Sequence, residues 1–211
     1  MIRMLFTLLC LALPAHADGE RAGDFDYYVM SLSWTPTWCD LIGDARHSPQ
    51  CANGKGFGFT LHGLWPQYAS GGYPSYCRTI ARNPSHTMSD SMADIMGTSG
   101  LAWYQWKKHG RCSGLSASNY YALLREAYAT VARPSIFRKL KRDITLPASV
   151  VEEAFLEANP KLLQNQITIT CQAHKIQEVR ICLTKDMKLR KCGYEISRDC
   201  SIRDAGMRMM R

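Results

Sequence analysis

Residues 166–192 read QITITCQAHKIQEVRICLTKDMKLRKC. Three runs within this stretch, 166–171, 176–184 and 187–192, are rich in Ile, Val, Thr and Leu and are separated by short polar turns. That pattern predicts antiparallel strands joined by hairpins. Towards the N-terminus the periodicity changes. Residues 149–159 open with Ser149 and Glu152, a capping box, and stop at Asn159-Pro160, which predicts a helix. Residues 116–133 carry an apolar helical face at Tyr120, Leu124, Tyr128 and Val131. Residues 103–109 and 85–96 read as shorter helices. Further back, 56–61 (GFGFTL) and 25–34 (FDYYVMSLSW) read as strands, with a Pro-containing loop over 35–55 and a Gly/Ser/Tyr loop over 68–83. Strands at both ends with helices between them predict an α+β fold, a central antiparallel β-sheet with helices packed on it. No linker interrupts the pattern, so residues 18–211 are expected to form a single disulfide-bonded domain.

Composition agrees with that reading. A chain of 211 residues suits one domain. With 46% hydrophobic and 21% charged residues, only 15 Gly and 9 Pro, and no self-similar period, a disordered tail, a collagen-like rod and a repeat array are excluded. The net charge of +8 favours polyanionic partners, of which RNA, DNA and an anionic membrane surface are the ordinary choices. Residues 1–17, MIRMLFTLLCLALPAHA, have a cationic start at Arg3, a short apolar run and an Ala15-His16-Ala17 cleavage signal. They read as a secretory signal peptide cut after Ala17. Without Arg3, 25 cationic and 18 anionic side chains remain, a net charge of +7. No later run is long enough to span a membrane. Of nine cysteines, Cys10 leaves with the signal. Cys39, Cys51, Cys77, Cys112, Cys171, Cys182, Cys192 and Cys200 remain, an even number that predicts four disulfides in an exported chain, with the pairing left open. There is no C-x-x-C or H-E-x-x-H, so neither metal nor cofactor is expected. The chain is expected to be exported, either periplasmic or secreted. The plain A-x-A signal and the lack of N-x-[ST] sequons favour a bacterial periplasm.

Two segments place a histidine among aromatic, glycine and basic residues: FTLHGLWP (59–66) and LAWYQWKKHGRC (101–112). If 103–109 is helical, Tyr104, Gln105, Lys108 and His109 share one face. Gly110 would let the helix end there, and Cys112 could pin that end. His62 is expected just after the second strand, with Gly63 allowing a sharp exit and room beside the imidazole. Two imidazoles and a lysine suit phosphoryl transfer within RNA. One neutral His removes the 2′-OH proton, one protonated His donates to the departing 5′ oxygen, and a cation balances charge on the phosphorane. Taken singly, each feature has an ordinary explanation as core packing or a solvated helix end. His47, His86 and His174 read as surface residues, Trp34 and Trp103 as core, and the Arg-rich end, 188–211, as a solvated tail.

Both segments resemble the two active-site signatures of the ribonuclease T2 family, exported, metal-independent endoribonucleases with little base specificity. The first family pattern is an aromatic, any residue, an aliphatic, then H-G-L-W-P. Phe59, Leu61, His62, Gly63, Leu64, Trp65 and Pro66 meet it. The second is commonly H-E-W-x-K-H-G-x-C. Trp106, Lys108, His109, Gly110 and Cys112 meet it, with Tyr104 and Gln105 where the family usually has His and Glu. Residues 25–39 are similar to the family's opening strand, and the resemblance covers most of 18–211.

The resemblance implies catalytic roles for His62 (general acid), His109 (general base), Lys108 (charge stabiliser) and Gln105 (auxiliary donor). It implies substrate-binding roles for Trp65 and Tyr73 as stacking faces, Gln67 as a base-edge partner, and Tyr104 as an uncharged phosphate contact. Single-stranded RNA is the implied partner, cleaved to a 2′,3′-cyclic phosphate by a chain expected to be a monomer. The implied disulfides are Cys39–Cys51, Cys77–Cys112, Cys171–Cys200 and Cys182–Cys192. Sequence neighbours agree with the roles. Lys107, Lys108 and Arg111 surround His109 and favour its neutral form, whereas no charged residue lies within four positions of His62. Two alternatives are an RNA-binding member that has lost catalysis and a secreted interaction protein with no pocket.

Overall fold

A computed structural model describes residues 20–211; the expected signal peptide lies outside the described residues. In chain order the regular elements are β1 (Tyr27–Trp34), α1 (Thr35–Trp38), β2 (Phe59–Gln67), α2 (His86–Asp90), α3 (Ala93–Met96), α4 (Ser99–Lys108), α5 (Ala117–Thr130), β3 (Ile144–Leu146), α6 (Ala148–Ala158), β4 (Ile167–Gln172), β5 (Lys175–Leu183) and β6 (Ala205–Met207). The strands form one sheet in the order β2-β1-β5-β6-β3, with β4 also paired to β5. Pairing is antiparallel throughout, except for one parallel contact between β5 and β6 at Lys175 and Gly206. This is the α+β architecture expected from the sequence.

Alternation along β1 sorts its side chains between two faces. Tyr28, Met30, Leu32 and Trp34 join the main core with Leu61, Leu64, Trp106, Tyr120, Leu124, Phe155, Val179 and Ile181. Tyr27 and Val29 face the other way, against Cys182, Cys192 and the half-buried Trp65. Strand β5 alternates in phase. Val179 and Ile181 enter the main core, while Glu178 and Arg180 lie opposite Ser33 and Ser31 of β1 on the second face.

The edge strand β2 breaks the alternation at one place. Leu61 pairs with Leu32 and Gly63 pairs with Ser31, so His62 is an extra residue, a β-bulge. The bulge resets the phase of the strand. Leu61 and Leu64 both reach the core although they are three residues apart, which an unbroken strand forbids. Trp65 and Gln67 turn to the second face with Thr60. The second strand therefore does not end at Leu61, and His62 lies inside it rather than after it.

Other elements depart from expectation for local reasons. Residues 187–192 form no strand: Met187 adopts φ 57, a turn conformation, and a single bridge joins Leu183 to Leu189. The capping box at Ser149 is absent, because Pro147 occupies the N-cap of α6 and places Ser149 inside the helix, while Glu152 turns inward and is buried. Trp103 is 39% exposed rather than core. The Arg-rich end is no free tail, since β6 joins the sheet and Arg208 and Arg211 bond to Asp40, Asp143 and Asp44. Trp34 is buried, and His47, His86 and His174 are exposed, as read from the sequence.

Disulfides join Cys39 to Cys51, Cys77 to Cys112, Cys171 to Cys200 and Cys182 to Cys192, the pairing the resemblance implies. Among the described residues no helix is long and apolar enough to cross a membrane.

Candidate active site

Helix α4 starts at Thr98, whose Oγ1 accepts a hydrogen bond from the Leu101 amide at 3.2 Å. It ends at His109, whose amide donates to the Gln105 carbonyl at 2.9 Å. Lys107 and Lys108 occupy its last turn, where the helix dipole favours cations. Gly110 is needed here for packing rather than for a turn. A Cβ at that position would lie 2.6 Å from Trp106 and 2.7 Å from Tyr120, and its φ is not positive.

Beside α4 the bulged part of β2 closes a cavity of about 380 Å³. His62, Trp65, Gln67, Tyr73, Tyr104, Gln105, Lys108 and His109 all line it, joined by Arg180 and Ile196. Every candidate catalytic and substrate-binding residue named from the sequence is therefore in one place. Tyr104, Gln105, Lys108 and His109 do share a face of the helix end. Gly63 serves a different purpose from the one expected. A Cβ there would meet Gln105 Oε1 at 2.3 Å and Trp65 Nε1 at 2.4 Å. The space it leaves is filled by a hydrogen bond in which the Trp65 indole donates to the Gln105 amide oxygen at 2.8 Å. That bond fixes Trp65 between the imidazoles, with ring centroids 5.2 Å from His62 and 5.5 Å from His109. Gln105 is thereby buried with its amide nitrogen still available. Tyr73 lies 5.7 Å from the His109 ring, and Lys108 Nζ is 5.6 Å from the Tyr73 ring centre. Gln67 is buried, and its amide nitrogen donates to the Pro66 carbonyl at 2.9 Å.

The two histidines occupy contrasting environments. His109 is 4% exposed and its Nδ1 is buried without a hydrogen-bond partner. Protonation would place an unsatisfied N–H and a charge in that interior, so burial leads in pushing its pKa down, to about 3, with the charges of Lys108 and His62 adding to the effect. The direction matches the sequence reading, but burial is the main cause, and Lys107 and Arg111 are not among the contributors. His62 has a third of its side chain exposed, and its Nδ1 lies 2.5 Å from Glu178 Oε1. Glu178 is 2% exposed. Burial alone would raise its pKa, but the His62 hydrogen bond and charge and the Arg180 guanidinium outweigh burial and bring it to about 2. Arg180 donates to Glu178 Oε2 from Nε at 3.1 Å and Nη2 at 2.8 Å, and its guanidinium stands 5.5 Å from the Trp65 ring centre. An ionised carboxylate has no proton to give, so His62 Nδ1 is the donor and Nε2 is left for the cavity.

Glu178 and Arg180 were not legible from the neighbours of His62, because they arrive from β5 across the sheet. Their signal was present within the strand: two charged residues at alternate positions of an otherwise apolar run, EVRICL. No three His, Cys, Asp or Glu side chains converge on a metal-sized site among the described residues.

The chain's likeness to known proteins follows the same residues. The pattern of the Ribonuclease T2 family matches residues 25–192. A ribonuclease of Aeromonas hydrophila is 40% identical over 135 residues, covering 63% of this chain and 59% of that protein. A probable ribonuclease of Haemophilus influenzae is 34% identical over 140 residues, covering 61% of this chain and 50% of that protein. The matched segments thus span between half and three-fifths of those relatives' own lengths. In structure, an RNase-related protein from Calystegia sepium superposes with a TM-score of 0.65 at 19% identity, covering 88% of this chain and 97% of that one, a likeness of fold. With both signature segments lining one cavity and the family pattern spanning β1 to Cys192, this chain belongs to the ribonuclease T2 family.

Proposed function

We propose that the protein is an endoribonuclease that cleaves single-stranded RNA by 2′-OH transesterification with little base specificity. The observation that carries this reading is the pairing of two unlike imidazoles in one cavity. One is buried and neutral; the other is hydrogen-bonded to an ionised carboxylate. His109 takes the 2′-OH proton as the 2′ oxygen attacks phosphorus. Lys108 balances the charge on the phosphorane, and the free amide nitrogen of Gln105 donates to a phosphoryl oxygen. His62, protonated and held through Nδ1 by Glu178, gives its Nε2 proton to the departing 5′ oxygen. The products are a 2′,3′-cyclic phosphate and a free 5′-OH. A base with so low a pKa in the ligand-free cavity would be weak, but an anionic phosphate beside His109 raises it towards a useful value. Trp65 and Tyr73 offer stacking faces to bases, and Gln67, its nitrogen already engaged, offers its oxygen to a base edge. Tyr104 replaces a charge with one phenolic hydrogen bond to phosphate. These side chains supply both proton transfers and the balancing charge, so the reaction needs no metal or cofactor.

The mature protein, residues 18–211, acts as a monomer outside the cytoplasm, in the periplasm or the medium, after removal of residues 1–17. Four disulfides suit such an oxidising compartment. The test is digestion of unstructured RNA by the purified mature protein in excess chelator, with the product ends analysed. Cyclic phosphate ends support the reading. Tight binding without cleavage would favour an RNA-binding member weakened by Tyr104 and Gln105, and neither outcome would leave a secreted interaction protein.

A further inference from the structure

We propose that a ridge of three exposed rings and one ammonium group running outward from the cavity, Tyr104, Tyr76, Lys107 and Trp103, is a track for the RNA that flanks the scissile step. The proposal rests on the reading above and extends it from a dinucleotide to a longer single strand. Three observations carry it. First, the ridge is continuous with the cavity: Tyr104 lines it, the Tyr76 hydroxyl lies 3.4 Å from that of Tyr104, and the charges of Lys107 and Lys108 both reach Tyr76. Lys107 Nζ then stands 5.6 Å from the Trp103 ring centre. Second, these rings are large and open to solvent, Tyr76 at 46% and Trp103 at 39%. Among the described residues neither lysine is paired with a carboxylate. Third, the surface is held rigidly. The Tyr76 amide donates to the Lys108 carbonyl at 2.8 Å, the adjacent Cys77 is tied to Cys112, and Tyr76 adopts φ 52, a conformation that a bulky residue enters reluctantly. A loop spends that strain to hold an aromatic ring against the helix that carries Lys108 and His109.

Exposed rings beside ammonium groups match what a single strand presents, bases joined by phosphates, and they do so without sequence preference. Charge complementarity and continuity with the cavity select RNA as the occupant over an apolar peptide or a second copy of the chain.

The experiment compares kcat/KM on a dinucleoside phosphate and on an unstructured twelve-nucleotide RNA. It uses wild type, Trp103→Ala, Lys107→Ala and Tyr76→Asn, the last chosen because Asn tolerates the positive φ. Wild type should prefer the longer substrate. The Trp103 and Tyr76 variants should lose roughly 5- to 100-fold on it, the range of one stacked base, and keep their dinucleotide rate. Lys107→Ala should also flatten the salt dependence of cleavage of the longer RNA. Equal losses on both substrates, or none on the longer one, would overturn the track, as would a wild-type dimer dissolved by Trp103→Ala. Binding of a 2′-O-methylated twelve-nucleotide RNA separates the two readings. If wild type cuts neither substrate, the proposed activity fails, and weaker binding by the variants still decides for or against the track.

Discussion

Replacing Glu178 by Gln keeps a hydrogen-bonding group beside His62 Nδ1 but removes the carboxylate that fixes Nδ1 as the donor and leaves Nε2 for the cavity. The expected result is a kcat roughly 10- to 100-fold lower with KM nearly unchanged. An unchanged kcat in a less stable protein would show that Glu178 serves folding alone. His62→Ala and His109→Ala should each lose about 10²- to 10⁴-fold in turnover, measured on a dinucleotide. Lys108→Ala should lower kcat more than it raises KM, because the phosphorane carries more charge than the ground state. At Gln105 the prediction concerns pH. The acidic limb of kcat/KM should lie below the ordinary histidine value of about 6.5, since burial holds His109 neutral well into acid. Gln105→Glu keeps an oxygen for the Trp65 indole but brings a negative charge one turn from His109, so that limb should move to higher pH while the basic limb stays. At this scale the sequence was informative about which residues meet, because both signature segments are short and local. It was silent about Glu178 and Arg180, whose approach to His62 depends on how β5 registers against β1.

Among the elements, the end of α4 at His109 was legible because helical spacing and the Lys-Lys-His ending are local signals, whereas its start at Ser99, four residues before the expected one, was not. The full length of β2 was not. Its alternation fails after Leu61, and Gly63 and Pro66 look like breakers. The bulge at His62 restores the phase, and as the edge strand of the sheet β2 can accept Pro66 without losing a central ladder bond. The misread strand at 187–192 and the missing capping box have the same kind of cause: a turn at Met187 and a proline at the N-cap overrode patterns that suit either state. A prediction belongs to the junction of β2 and α4. Gly63→Ala forces a methyl group into the Trp65–Gln105 hydrogen bond. It should cost about 1–3 kcal/mol in urea unfolding, the usual range for overpacking, and lower kcat/KM by displacing Trp65. Unchanged stability and activity would mean that the two elements can part there at no cost.

For the whole molecule, the buried groups set the response to acid. His109 has a folded pKa far below its unfolded value, so the unfolded chain binds its proton first. The stability from keeping His109 neutral is complete above about 6.5 and is lost as pH falls towards about 3. Glu178 adds a second loss, lower down, between its ordinary value of 4.5 and about 2. Urea titrations between pH 7 and pH 4 should therefore show stability falling by up to about 1.4 kcal/mol per pH unit, and His109→Gln should flatten that slope. The basic C-terminal stretch was hard to read because its pairing with Asp40, Asp44 and Asp143 is decided by chain closure, which joins residues far apart in sequence. The bulge in β2 has a consequence at this scale too. The rungs on either side of position 62 are completed by Leu61 and Gly63, so the residue that would carry the chemistry contributes no rung to the ladder. An inert protein can then be made by changing this single side chain, with Arg180 still neutralising Glu178. Immobilised on a bead, such a protein would act as a sieve that captures single strands intact and releases them in salt.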